Sequence, residues 1–239
     1  MLIIKNVVRQ LATLTFCGLV SSAVYATPIE LVTNGGFESG DFTGWIVTDS
    51  GSGTFEVTSA LAPSNGTFTT VGASQGSFYA VSSQSGPGTH ALSQSFLVPL
   101  NATQVIMTFD MFVQTFAGLT INPAGLDETA FPNQHARVDL LSAGARAFDT
   151  GAGVLANFYI GLDGIPTQPY ISYLFDITAL VTPGLSYDIR FAQSDNQGNF
   201  NQGVDNVSIQ AQVQVPAPAT LVLLGLGIVG LGWSRRKKA

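Results

Sequence analysis

Two short patterns in this chain carry the spacing of known chemistry. Gly72-Ala73-Ser74-Gln75-Gly76 has the G-x-S-x-G form of a nucleophile elbow, where a serine sits on a tight turn between a strand and a helix. The residues that follow, Ser77-Phe78-Tyr79-Ala80-Val81, alternate like a strand, so the elbow lacks its second half. A triad also needs a histidine, and His90 and His135 are the only two. Without H-E-x-x-H spacing they form no zinc pair, and both are expected on loops or exposed strand positions. Gly225-Leu226-Gly227-Ile228-Val229-Gly230 fits G-x-G-x-x-G, but only nine residues follow it, four of them basic. A dinucleotide site needs a full helix, a second strand and an acidic residue about 20 positions on.

Carboxylates are the remaining chemical resource. Eleven of the fifteen acids are aspartate, a turn former and a hard oxygen ligand for calcium. Two carboxylates about 5 to 10 Å apart in a cleft would serve glycoside hydrolysis, but no spacing marks one pair. The Asp/Asn-rich stretch Ser194 to Asn201 is rich in oxygen without matching an EF-hand loop. Six of the nine Lys and Arg lie near the termini, at Lys5, Arg9, Arg235, Arg236, Lys237 and Lys238. The body between keeps three arginines against fifteen acids, a net charge of −12, and no lysine. Such a surface repels phosphate backbones and anionic lipid, so nucleic acid is excluded as a partner.

The termini are addresses. Met1 to Ala26 has a basic start, an apolar stretch from Leu11 to Val20 and small residues before an expected cut after Ala26: an export signal read by a translocon. The only cysteine, Cys17, leaves with it, so disulfides and thiolate chemistry are excluded from the mature chain. At the other end, Val215-Pro216-Ala217-Pro218 precedes an apolar run and then Arg235-Arg236-Lys237-Lys238. The fifteen residues from Ala219 to Trp233 would give a helix of about 22 Å, short against a hydrocarbon core of about 30 Å. That suits a single membrane helix used in transit, its cations on the cytoplasmic side. These three parts, in this order, resemble the C-terminal sorting signal of PEP-CTERM proteins. The resemblance implies export by an exopolysaccharide-making bacterium and cleavage near the motif by a membrane cysteine protease, the exosortase. The chain has Ala217 where that family usually has glutamate.

The body, 27–214, has the period of strands. Every odd position from Val105 to Val113 is apolar (Val105, Met107, Phe109, Met111 and Val113), and apolar residues recur at alternate positions in Ile171 to Ile177, Tyr187 to Phe191 and Val207 to Val213. Weaker alternation occurs at 45–48, 54–58, 77–82, 91–98 and 136–141. Gly, Pro, Asn and Ser clusters separate these runs. The expected fold is all-β, an antiparallel sandwich with one apolar face per strand. Leu31-Val32-Thr33-Asn34-Gly35-Gly36-Phe37-Glu38, running on to Trp45, and Gly203-Val204-Asp205-Asn206-Val207 resemble the opening and closing strands of galactose-binding-like jelly rolls, the fold of many carbohydrate-binding modules. Gln75 to Ala80 and Leu92 to Phe96 resemble the two signature strands between. The resemblance implies that the first and last strands lie side by side. It also implies a structural calcium held by Glu38, Asp205 and carbonyls near Gly76 and Ser77. Trp45 is expected in the core; Phe158, Tyr159 and Tyr170 are the aromatics expected at the surface. The expected function is an exported, non-catalytic structural or adhesive protein of the surface or matrix. The alternatives are a carbohydrate-binding module with extracellular polysaccharide as ligand, and then a glycoside hydrolase.

Overall fold

Twelve strands form from these runs in a computed structural model, which describes residues 24–25, 27–64, 69–161 and 169–215. They are β1 (Val24–Tyr25), β2 (Ile29–Glu30), β3 (Ile46–Gly51), β4 (Thr54–Thr58), β5 (Tyr79–Ser83), β6 (Gly88–Leu97), β7 (Ala102–Thr115), β8 (His135–Ser142), β9 (Val154–Ile160), β10 (Ile171–Asp176), β11 (Ser186–Asp195) and β12 (Phe200–Val215). One sheet runs β10-β7-β12-β5-β4, with β2 also on β12; the other runs β3-β6-β11-β8-β9. The pairings between these neighbours are antiparallel. The fold is an antiparallel jelly-roll β-sandwich, and Tyr25–Gln214 is one compact unit.

The inward faces are those the alternation marked. Met107, Phe109 and Met111 of β7, Ile189 and Phe191 of β11, and Ile209 and Ala211 of β12 are almost wholly buried in one core. Trp45 joins them, its ring 5.4 Å from Phe37 and 6.2 Å from Phe191, and its Nε1–H donates to the Asn34 carbonyl.

The opening and closing motifs meet, as the resemblance implied. Glu30 and Ile29 pair with Gln210 and Ala211. A register shift between Asp205 and Ser208 breaks β12's regular pairing with β7. Asn206 sits there at φ 54°, a conformation asparagine tolerates better than most residues. The Val207 amide donates to the Gly35 carbonyl. A Cβ on Gly35 would lie 1.8 Å from the Val207 carbonyl oxygen, so only glycine allows this approach. The shift keeps Val204 and Val207 both in the core while Asp205 stays out of it.

Two expectations change. His90 and His135 are wholly buried, in β6 and β8, instead of on loops or exposed positions. His90 shares the parity of the core residues Leu92 and Phe96, just before the marked run, whereas His135 has the parity opposite to Ala136, Val138 and Leu140, so alternation does not report its burial. Phe158 and Tyr159 belong to a strand, β9, that the alternation did not mark. Its residues are apolar on both parities (Val154, Leu155, Ala156, Phe158, Tyr159, Ile160), so no single face stands out. Phe158 packs 4.8 Å from Phe175 and Tyr159 6.1 Å from Tyr173, joining the edges of the two sheets. Tyr159 is therefore buried.

No helix among the described residues is long and apolar enough to cross a membrane. The expected export cut at Ala26, Pro216, Ala217, Pro218, the membrane helix and Arg235, Arg236, Lys237 and Lys238 lie outside the described residues. Val215 is the last residue of β12.

Candidate functional site

The register shift in β12 faces a loop, residues 74–78, that crosses the outer side of the first sheet. Ser74 and Gln75 donate their backbone N–H groups to Asp205 Oδ2 at 2.8 and 3.0 Å. Asn206 N donates to Asp205 Oδ1 at 2.7 Å. Three residues further along the same loop, the Ser77 and Phe78 amides donate to Glu38 Oε1 at 2.8 and 2.9 Å. The two carboxylates named from sequence are thus brought to one loop. A Cβ on Gly36 would lie 3.8 Å from Glu38 Cγ and 3.9 Å from Asp205 Oδ1, so both side chains come close to that glycine.

A third carboxylate completes the cluster. Asp110 stands opposite Asp205 in the β7–β12 register. It accepts from Ser172 Oγ at 2.5 Å, Ser74 Oγ at 2.7 Å and Asn206 Nδ2 at 2.9 Å. Sequence reasoning did not find Asp110, because its partners come from residues 36 to 96 positions away. Burial raises the Asp110 carboxyl, but the bonds from Ser172, Asn206 and Ser74 outweigh it and hold the group below the ordinary range. Asp205 goes the other way: burial pushes it up to about 6 against the pull of the Gln75, Asn206 and Ser74 amides. The Phe78 and Ser77 amides hold Glu38 below the ordinary range. Half-buried Tyr170 packs edge-on against Phe112 at 5.0 Å, and burial, then the Asp205 charge, raises its hydroxyl.

The donors do not fit a calcium ion as they stand. Calcium takes six to eight oxygens, and the loop turns amide hydrogens to both carboxylates. Glu38 Oε1 and Asp205 Oδ2 each accept two N–H groups. Among the described residues, no three His, Cys, Asp or Glu side chains converge as metal ligands. The cluster's evident work is to tie the loop to the sheet, over a small apolar patch of Tyr79, Val81 and Phe112. Ser74 is part of that tie. Its hydroxyl is committed to Asp110, and strand β5, not a helix, follows. Ser74→Ala is expected to cost about 1 kcal/mol and to speed hydrogen exchange at the amides of 74–78. Unchanged exchange there would refute the tie.

The histidines show no catalytic arrangement. His90 Nδ1 lies 2.8 Å from Asp49 Oδ1 and its Nε2 3.0 Å from the Ser52 carbonyl, so both nitrogens are taken. His135 is pushed down to about 4 by burial and then by the Arg137 charge. Among the aromatics that could stack on a sugar, Trp45, in the core as expected, and Tyr79, Tyr159 and Phe200 are buried.

Comparison with known proteins bears on both parts of the chain. Residues 214–237 match the PEP-CTERM protein-sorting motif. The chain therefore carries a signal for export and sorting to the cell surface, in the place its three-part tail implied. Among solved structures, the chain is similar to TmCBM61 in complex with β-1,4-galactotriose, at 15% identity over 76% of this chain and 97% of that one, with a TM-score of 0.46. It is similar to a cyclase from Fischerella sp. TAU at 17% identity over 80% and 100%, TM-score 0.47. It is also similar to the CBM22-1 xylan-binding domain from Paenibacillus barcinonensis Xyn10C, at 16% identity over 82% and 100%, TM-score 0.41. No curated protein matches the chain.

Proposed function

We propose that this chain is a surface protein whose sandwich acts as a structural or adhesive element in the extracellular matrix of an exopolysaccharide-producing bacterium, without catalysing a reaction. The observation that carries this reading is the sorting motif at 214–237, which begins where the last strand ends. A translocon exports the chain by its N-terminal signal, the tail holds it in the membrane, and an exosortase-like protease cuts near Val215 to Pro218.

The body's chemistry supports a passive role. Ser74, Ser172, Asp110 and Asp205 are bound to one another and to backbone amides, and Asp205 is wholly buried. Of the three arginines in the body, Arg137 and Arg190 are internal and only Arg146 is exposed. The outer surface is therefore almost purely acidic. It suits an uncharged polymer, or an acidic one met through bound cations.

The test is cell fractionation of the full chain against a chain lacking 215–239. The full chain is expected to be shortened and to reach the surface; the deletion is expected to do neither. Equal processing and location in the two would overturn the sorting reading. Ala217→Glu restores the residue usual in the family and is expected to raise the processed share. A glycan screen separates the second reading: saturable binding of one defined sugar would make the body a carbohydrate-binding module and not passive matrix.

A further inference from the structure

One end of the sandwich, where β11 stops and β12 starts, has an unusual interior. Strands β5, β11 and β12 send Ser82, Gln193, Asp195 and Gln202 inward there, all nearly or wholly buried. Above them lies a cavity of about 250 Å³ between residues 84–87 and 195–199. Two of its lining side chains are more than nine-tenths buried: Asp195 is 3% exposed and Gln84 7%. Gln84 Nε2 donates to the Phe200 carbonyl, which leaves its Oε1 with no partner among the described residues. Asp195 Oδ1 has none either.

Both unpartnered atoms are oxygens, so what the floor of the cavity lacks is a positive charge or a hydrogen donor. No Lys, Arg or His lines it. Arg137 and Arg190 are bound to Asp139, and Arg146 lies on a different cavity. A buried carboxylate without a cation is costly, and proteins normally pair such a group or coordinate a metal with it. The rim is built to stay in place. Asn196 donates to the Glu128 and Ala130 carbonyls and accepts from the Asn133 amide, and the Gln197 amide donates to Gln134 Oε1.

We propose that this end of the sandwich binds a hard divalent cation of the calcium type, with Asp195 Oδ1 and Gln84 Oε1 as its side-chain ligands. Backbone carbonyls of the two rim loops and water supply the remaining oxygens. An all-oxygen set without sulfur or imidazole suits calcium rather than zinc or copper. With one carboxylate the affinity falls in the weak range of extracellular calcium modules, on the order of 10⁻⁴ to 10⁻³ M. Glu38 and Asp205 take no part, and the assignment does not depend on how the chain is sorted.

Calorimetric titration of calcium chloride into the full chain in detergent tests this near neutral pH. The wild-type chain is expected to bind calcium saturably at one site. Asp195→Asn is expected to weaken binding at least about tenfold, and Gln84→Glu, which adds a second carboxylate, to tighten it about tenfold. Glu38→Gln is expected to leave it unchanged. Gln84→Glu carries the test alone should Asp195→Asn fail to fold. No saturable binding in the wild type, unchanged affinity in the Asp195 and Gln84 variants, or loss of binding in Glu38→Gln would each overturn the assignment.

Discussion

Replacing Asp139 with asparagine is expected to remove about 3 to 5 kcal/mol of stability, a large share of what a domain of this size has. Asp139 is wholly buried on the outer face of the second sheet, under residues 144–150. Arg137 Nε and Nη2 donate to its two oxygens at 2.7 and 2.8 Å. Arg190, its register partner in β11, donates to Oδ2 through Nη2 at 2.5 Å and Nε at 3.1 Å. Asn157 Nδ2 adds a bond at 2.8 Å. One carboxylate therefore serves two guanidinium groups, of which Arg190 is fully buried. The amide keeps the shape and loses the charge, leaving two buried cations uncompensated. Urea unfolding measures the effect, and a loss below about 1 kcal/mol would show that the cluster is solvated. Replacing all three residues with apolar ones of similar volume is expected to recover most of the loss, because that also removes the unpaired cations.

This cluster shows where the sequence could and could not be read. Arg190 and Asp188 alternate with Tyr187, Ile189 and Phe191, which marks a strand with one face in the core. Alternation predicts that the other face is in water, yet Arg190 is buried because a loop folds over it and its Nη1 donates to the Ala147 carbonyl. The same limit hid Asp110 and the burial of His135. Strand periodicity reports the near layer and says nothing of loops that return over the far one. Glu38 and Asp205 were found because local motifs carry them, and the structure does bring them together. Which atoms would meet them was not legible. Whether a loop offers carbonyls or amides depends on its backbone dihedrals, and Gly76, at φ 71°, sets them between Gln75 and Ser77. The sorting motif was legible, since its signal lies in composition and order along the chain and needs no fold.

Stability of the body is expected to peak on the acid side of neutral, near pH 5, about 2 kcal/mol above its value near pH 8. Burial pushes Asp195 up to about 7 and Asp205 up to about 6. For a carboxyl raised on folding, the native state holds its proton more tightly than the unfolded chain does. Its contribution is complete below the ordinary aspartate range, near pH 4, and is lost as pH rises through 6 and 7. His135 opposes this, because burial pushes it down to about 4. The unfolded chain takes up that proton from about pH 6.5 downward, and stability falls with it. Two carboxyls outweigh one imidazole, so the net change on acidification remains a gain. The reverse sign takes over further down. Glu38, Asp110 and Glu128 are held below the ordinary range, so their contribution is present near pH 5 and is lost as pH falls through their native values. Thermal melts across pH in chelator, which keeps bound cations out of the comparison, measure the curve. Asp195→Asn should flatten its neutral limb, whereas His135→Gln should raise its acid limb. A wild-type curve that climbs steadily to pH 8 would mean that Asp195 and Asp205 are ionised at little cost, and that the polar end of the sandwich is wet.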